Sequence, residues 1–185
     1  NTMASGDTKV TIVNQALVLL GSDTISSFSD TTNDAARVAD SIYETIKGKT
    51  LSLYPWSFAL VKEQLARSTA TPVNEWTYLY PLPSTAVSGT ALQVYNSSST
   101  RVLPIQNYEL LYTSSGPAIA TNEDKIYIDY ISSVVSEGLM PNYFVQLLVY
   151  MLAWHLAEPV TDQITKAEYW RGVALGSLTE NGRGG

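Results

Sequence analysis

Cysteine is absent from the chain, and histidine occurs once, at His155. The first absence excludes disulfides, thiol catalysis, iron–sulfur clusters and cysteine-type zinc sites. The second leaves a hydrolase triad or a zinc site with a single imidazole to build on. Basic residues are also scarce. The 11 Lys and Arg stand against 17 Asp and Glu, for a net charge of −6, and the only basic cluster is Lys47 with Lys49. Duplex-binding surfaces displace counterions with patches of Lys and Arg, so stable DNA binding is not expected. An acidic surface suits a protein past which DNA slides without being held. Long apolar runs are missing as well. The longest, residues 143–157, is interrupted by Gln146 and His155, and a membrane span needs about 20 apolar residues. No span is expected. The opening Asn-Thr-Met-Ala-Ser-Gly lacks the basic region and apolar run of a secretory signal. Neither Gly-x-Gly-x-x-Gly nor Gly-x-x-x-x-Gly-Lys-Ser/Thr occurs, so no phosphate-cradling loop is expected.

What is present is core material. Hydrophobic residues make up 45% of 185 positions, enough for one domain or one domain with a sizeable insertion. Val10, Val13, Leu17 and Leu20 recur at helical spacing, with Ile12, Ala16 and Leu19 widening the stripe. Asp7 or Thr8 is placed to cap this first helix, and Gly21 to end it. A polar loop over residues 22–31 follows. Asp30, Thr31 or Thr32 then caps a second helix, apolar through Ala35, Ala39, Ile42, Ile46 and Leu53, with Arg37, Asp40, Glu44 and Lys47 turned outward. Pro55 disfavours helix in the residue before it, so this helix stops at Tyr54.

The middle of the chain changes character. Residues 58–65 read as extended. Trp76, Tyr78 and Tyr80 alternate along residues 75–82 in the manner of a strand. Residues 91–95, 108–112 and 126–131 are further strand candidates, separated by turn chemistry at 84–89, 96–100 and 114–117. After Pro141 the helical pattern returns. Phe144, Leu147, Leu148, Met151 and His155 share a face, with Val145, Val149, Leu152 and Leu156 beside it, which predicts a helix central to a core. A last helix over residues 162–178 carries Ile164, Tyr169, Val173 and Leu178 among its apolar positions, and residues 180–185 read as a flexible polar tail. The expected fold is α+β: a bundle of N- and C-terminal helices with an inserted small antiparallel β unit. Residues 1–60 and 140–185 form the helical part and 61–139 the insertion, in a single compact unit.

Catalytic chemistry is thin. His155 lies on the apolar face of the most buried helix, where it is expected to be structural, with no metal and no substrate. His155 and Glu158 are three apart, but a metal there needs further carboxylates. The close carboxylates Glu123/Asp124 and Glu158/Asp162 read as solvated loop or helix-end acids. Twelve Tyr and four Trp suit sheet packing or protein interfaces better than a sugar platform. Catalytic, metal and cofactor-binding residues are all expected to be none. Pro55, Trp56 and Phe58 are read as structural core, with the indole packing back under the second helix.

Asn14-Gln15-Ala16-Leu17 leading to Leu20-Gly21 is followed by the polar loop, then by Asp34-Ala35-Ala36-Arg37, Tyr43 and the run Leu53-Tyr54-Pro55-Trp56-Ser57-Phe58-Ala59. In this order and spacing the chain resembles the head-to-tail adaptor family of tailed phages, called tail tubular protein A in short-tailed phages. Tyr80-Pro81-Leu82-Pro83 and Leu152-Ala153-Trp154-His155-Leu156-Ala157 continue the likeness, which is weak over residues 84–122. The ending Asn-Gly-Arg-Gly-Gly departs from the longer, Ala- and charge-rich helix common in similar proteins. The resemblance implies a structural virion protein, not an enzyme, made in the host cytoplasm and residing in the neck. There a homo-oligomeric ring, usually of twelve copies, joins the portal protein to the tail nozzle or another tail protein, and DNA passes transiently through the lumen. Tyr169, Val173 and Leu178 on the last helix are then the candidates for portal docking, with the loop at 22–31 as the next surface. The alternatives are another phage neck or tail ring component and a virion-associated wall hydrolase.

Overall fold

The computed structural model describes residues 8–181 apart from 31, 71, 73, 74, 90 and 100, with the backbone alone described at 88 and 177–181. The fold is α+β, with four helices and two small three-stranded antiparallel sheets. It divides into two compact units where a single one was expected. A helical unit comprises the chain up to Tyr54 and from Val135 onward, and a β unit comprises Pro55–Val134. The insertion therefore begins and ends about five residues earlier than the pattern placed it.

In the helical unit, α1 (Lys9–Leu19), α2 (Asp34–Ser52) and α4 (Ile164–Asn181) all pack against α3 (Asn142–Thr161). Phe144, Leu147, Leu148, Leu152 and Ala153 of α3 have no exposed surface. Each such large side chain contributes on the order of 1.5–3 kcal/mol of burial. α1 starts at Thr8, whose hydroxyl accepts from the Thr11 N–H while the Thr11 hydroxyl accepts from the Thr8 N–H. Asp7, the other cap candidate, lies outside the described residues. α1 ends as the sequence predicts. Gly21 takes φ +72° and donates to the Val18 carbonyl, and Ser22 donates to Leu17, the paired bonds of a glycine-terminated helix.

α2 departs from expectation in three ways. Its cap is Asn33, whose side chain accepts from the Ala36 N–H at 3.2 Å. Asp30 is instead used up in bonds from the Thr32 N–H and hydroxyl, and Thr31 lies outside the described residues. The helix stops at Ser52, with Leu53 as its cap residue and exposed. Its buried face runs through Ala36, Ala39, Tyr43, Ile46, Lys47, Thr50 and Leu51, one position round from the stripe expected. Lys47, expected to point outward, is only 5% exposed. The reason is chemical, because the part-buried Val135 carbonyl and Glu137 carboxylate satisfy its ammonium.

α4 is also rotated from its expected face. Asp162 ends α3 in the left-handed conformation at φ +58° and lies in the turn. Trp170 stacks on Tyr150 of α3 at 5.9 Å, and Ala174 is fully buried. Ile164 and Tyr169 are 60% and 63% exposed. Lys166 Nζ donates to the Leu20 carbonyl at the end of α1, a favourable place for a cation. Residues 180 and 181, expected in the tail, continue the α4 backbone, and 182–185 lie outside the described residues.

The β unit holds β1 (Leu60–Gln64), β2 (Tyr78–Pro81), β3 (Gln93–Tyr95), β4 (Tyr108–Thr113), β5 (Gly116–Thr121) and β6 (Tyr127–Ile131). One sheet has the order β1-β6-β3 and the other β2-β5-β4. Tyr80, Val94, Ile119, Ile126, Ile128 and Tyr130 share its core. The sequence reading missed β5, the central strand of its sheet, and assigned its start to a turn. Ala118 and Ala120 pack with Leu79 on one face while Ile119 faces the other core, so no polar alternation marks the strand. Trp56 has no exposed surface and Phe58 is half-buried, with the two rings 6.2 Å apart. Pro55 is exposed and is not core. A proline that ends a helix has its effect on backbone geometry and needs no burial.

Candidate functional site

The acid–base candidates come apart in the structure. His155 is half-buried, its Nδ1 lies 2.8 Å from the Met151 carbonyl oxygen, and its ring sits 4.2 Å from that of Trp154. Burial lowers its pKa, the Met151 carbonyl opposes that shift, and Lys49 adds to it. Glu158 and Asp162 are exposed at the end of α3. At Glu123 and Asp124 it is the backbone carbonyls that are engaged, accepting from the Tyr80 hydroxyl and from Arg67. Among the described residues no three His, Asp or Glu side chains are grouped to hold a metal ion.

A polar cluster with no local signature in the sequence joins α2 to the returning chain. Lys47 Nζ donates to the Val135 carbonyl at 2.7 Å and to Glu137 Oε1 at 3.1 Å, and the Tyr43 hydroxyl donates to the same carboxylate oxygen. Burial pushes the Glu137 carboxyl up, but its backbone hydrogen bond, Lys47 and Tyr43 outweigh that and hold it below the ordinary glutamate range. Burial, then Glu137, pushes the Tyr43 hydroxyl far above the ordinary tyrosine value, so it stays a donor. Sequence separation hid the group, since nothing local in residues 43–47 points to a carboxylate some ninety positions on.

A groove of about 720 Å³ lies between α1 and α3. On α1 it is lined by Thr11, Asn14, Gln15, Val18 and Leu19. On α3 it is lined by Asn142, Val145, Gln146, Val149 and Tyr150. Both sets follow the i, i+3, i+4, i+7, i+8 spacing of one helix face. The lining holds no Asp, Glu, Lys, Arg or His side chain. Val18 is 62% and Leu19 40% exposed on the α1 wall of the groove. Asn14 has a second task at the edge of the groove. Its amide nitrogen donates to the Ile25 carbonyl at 2.9 Å, and its oxygen accepts from the Ile25 N–H at 2.8 Å. This double bond-pair fixes the polar loop to α1.

Of the residues singled out for docking on α4, Tyr169 is exposed, Val173 is half-buried, and the side chain of Leu178 lies outside the described residues. The loop at 22–31 is held down by Asn14 and by Phe28, whose ring is 5.9 Å from Tyr43. The groove itself went unread in the sequence. The stripe 11/14/15/18/19 is visible there, but it looks like the solvent side of an amphipathic helix. Among the described residues no helix is long and apolar enough to cross a membrane. No protein-family model matches the chain, and no curated protein matches it.

Proposed function

We propose that this chain is a structural virion protein, a head-to-tail adaptor subunit that assembles side by side into a ring between portal and tail. The observation that carries the reading is the uncharged, partly apolar groove between α1 and α3. It offers a surface for a neighbouring helix and no Asp, Glu, His or Lys side chain. Two further features support it. The residues that resemble the adaptor family have structural tasks here, with Asn14 clasping the loop, Gly21 ending α1 and Trp56 buried. The net charge of −6 disfavours holding DNA that has to move. In this reading the subunit stays monomeric until a portal presents the template, and the assembled lumen passes DNA without gripping it.

The test is to mix the purified chain with cognate portal rings and examine the product by electron microscopy and native mass measurement. A closed ring seated on the portal, of about twelve copies as the resemblance implies, is the expected result. A chain that stays monomeric with and without portal overturns the reading. So does turnover of peptidoglycan at high protein concentration, which favours a wall hydrolase.

A further inference from the structure

The groove between α1 and α3 has the form of a helix seat. Each wall presents one face over two turns, so the seat is roughly 12 Å long. Its lining holds no Asp, Glu, Lys, Arg or His, in a chain of net charge −6. Copies of such a chain repel one another at range, so they meet best where neither surface adds like charge. The outward stripe of α4, through Thr165, Tyr169, Gly172 and Gly176, is exposed and has no charged side chain of its own, with the exposed Glu168 at its edge. A β-carbon at Gly172 or Gly176 would meet nothing in the same subunit. Intrachain packing therefore gives no reason for glycine at either place, although each weakens the helix relative to alanine. Two glycines one turn apart let another backbone approach closely, which seating between two helices requires. α4 holds its own subunit through the opposite face, at Trp170 and Ala174, so the stripe is presented without rearrangement. Groove and stripe are different surfaces of one helical unit. Pairing them between copies is head-to-tail, the kind of contact that builds a ring when the rotation between copies closes and an open filament when it does not.

We propose that the α1–α3 groove receives the outward face of α4 from a second copy of this chain. The inference rests on the ring reading above and names the surfaces that build the ring. A two-turn seat covers well under the roughly 800 Å² per partner of a stable free pair. The contact therefore forms on a template or within a closing ring, and not between free subunits.

Because the chain lacks cysteine, an introduced pair reports on this contact alone. The experiment places Val18→Cys and Tyr169→Cys in one full-length chain, assembles it on cognate portal rings and oxidises it mildly. Wild-type assembly is imaged in parallel. Both positions are exposed, so the fold tolerates the change. The expected result is a ladder of covalent multimers rising to the closed ring, absent from either single variant. Gly172→Gln is expected to keep or raise the unfolding midpoint while cutting the assembled fraction at least tenfold. Rings without a ladder overturn the seat and leave the ring reading standing. A ladder without closed rings supports the seat and overturns the ring. Cross-linked pairs from one single variant mean a symmetric contact and overturn the head-to-tail seat, as does a Gly172→Gln chain that assembles like wild type. Neither rings nor ladder overturns both.

Discussion

Trp56 carries more of the stability than any other single side chain is expected to. It is fully buried and is the largest such residue, so Trp56→Ala is expected to cost about 3–5 kcal/mol. Urea unfolding measures this directly, and an unchanged midpoint would show that the indole is dispensable. Lys47 is the second sensitive position. Replacing it with Ala leaves the part-buried Glu137 carboxylate short of its cation, a loss of about 3 kcal/mol that Glu137→Gln should partly avoid by keeping an acceptor for Tyr43. Acid acts on the same cluster. The Glu137 pKa is held below its ordinary value in the folded chain, so its contribution is present at neutral pH and is lost as pH falls through the folded value. His155 adds to this in the same direction. Its folded pKa is also lowered, by burial first, so stability falls once the pH drops below the ordinary histidine range. A midpoint that declines in two steps, the first below the ordinary histidine range and removed by His155→Gln, the second below the ordinary glutamate range and removed by Glu137→Gln, is the expected titration.

At the scale of the element, the polar loop after α1 depends on one side chain. Asn14→Ala removes both bonds to Ile25 and strands a backbone pair, at a cost of about 1–3 kcal/mol. Amide exchange at Ile25 should quicken by at least tenfold while that in α3 hardly changes, and equal protection in both chains would refute the clasp. The elements also show where sequence reading works. α1 and α3 were legible because their apolar residues recur over three or more turns and their ends carry Gly21 and Pro141. β2, β4 and β6 were legible from alternating aromatic and aliphatic residues. β5 was not, because a strand covered on both faces and built from Pro117, Ala118, Ile119 and Ala120 shows no alternation. The faces of α2 and α4 were misread for a different reason. Apolar side-chain area ranks Leu53, Ile164 and Tyr169 above Ala174, and hydropathy ranks Leu53 and Ile164 above Lys47, whereas burial went to the lysine with a distant carboxylate and to the alanine against α3. The groove escaped notice because a seat for another helix consists of outward residues, and in one chain these look like surface.

The whole molecule carries a net charge of −6, which predicts how salt acts on assembly. Copies that meet through uncharged faces are hindered only by their mutual repulsion, and that is screened as the Debye length shrinks from about 30 Å to about 8 Å. Ring growth on the portal is therefore expected to speed up several-fold between about 10 mM and 150 mM salt. Slower growth with added salt would mean that opposite charges drive the contact. The entry and exit of the β unit have another consequence, one for the order of folding events. β1 and β6 pair with Leu60 opposite Ile131, and the Ser132 N–H bonds the Ala59 carbonyl, so the two ends of the insertion meet within its own sheet. α2 ends at Ser52 and α3 begins at Asn142, a separation that makes their packing a long-range event in the unfolded chain. Once β1 and β6 have zipped, the effective loop between the two helices shrinks to about twenty residues, which lowers its closure cost by about 1 kcal/mol. Contacts that are distant along the chain thereby become local in time. A substitution that delays the β1–β6 pairing should slow helix docking too, even though it touches no residue of the helices.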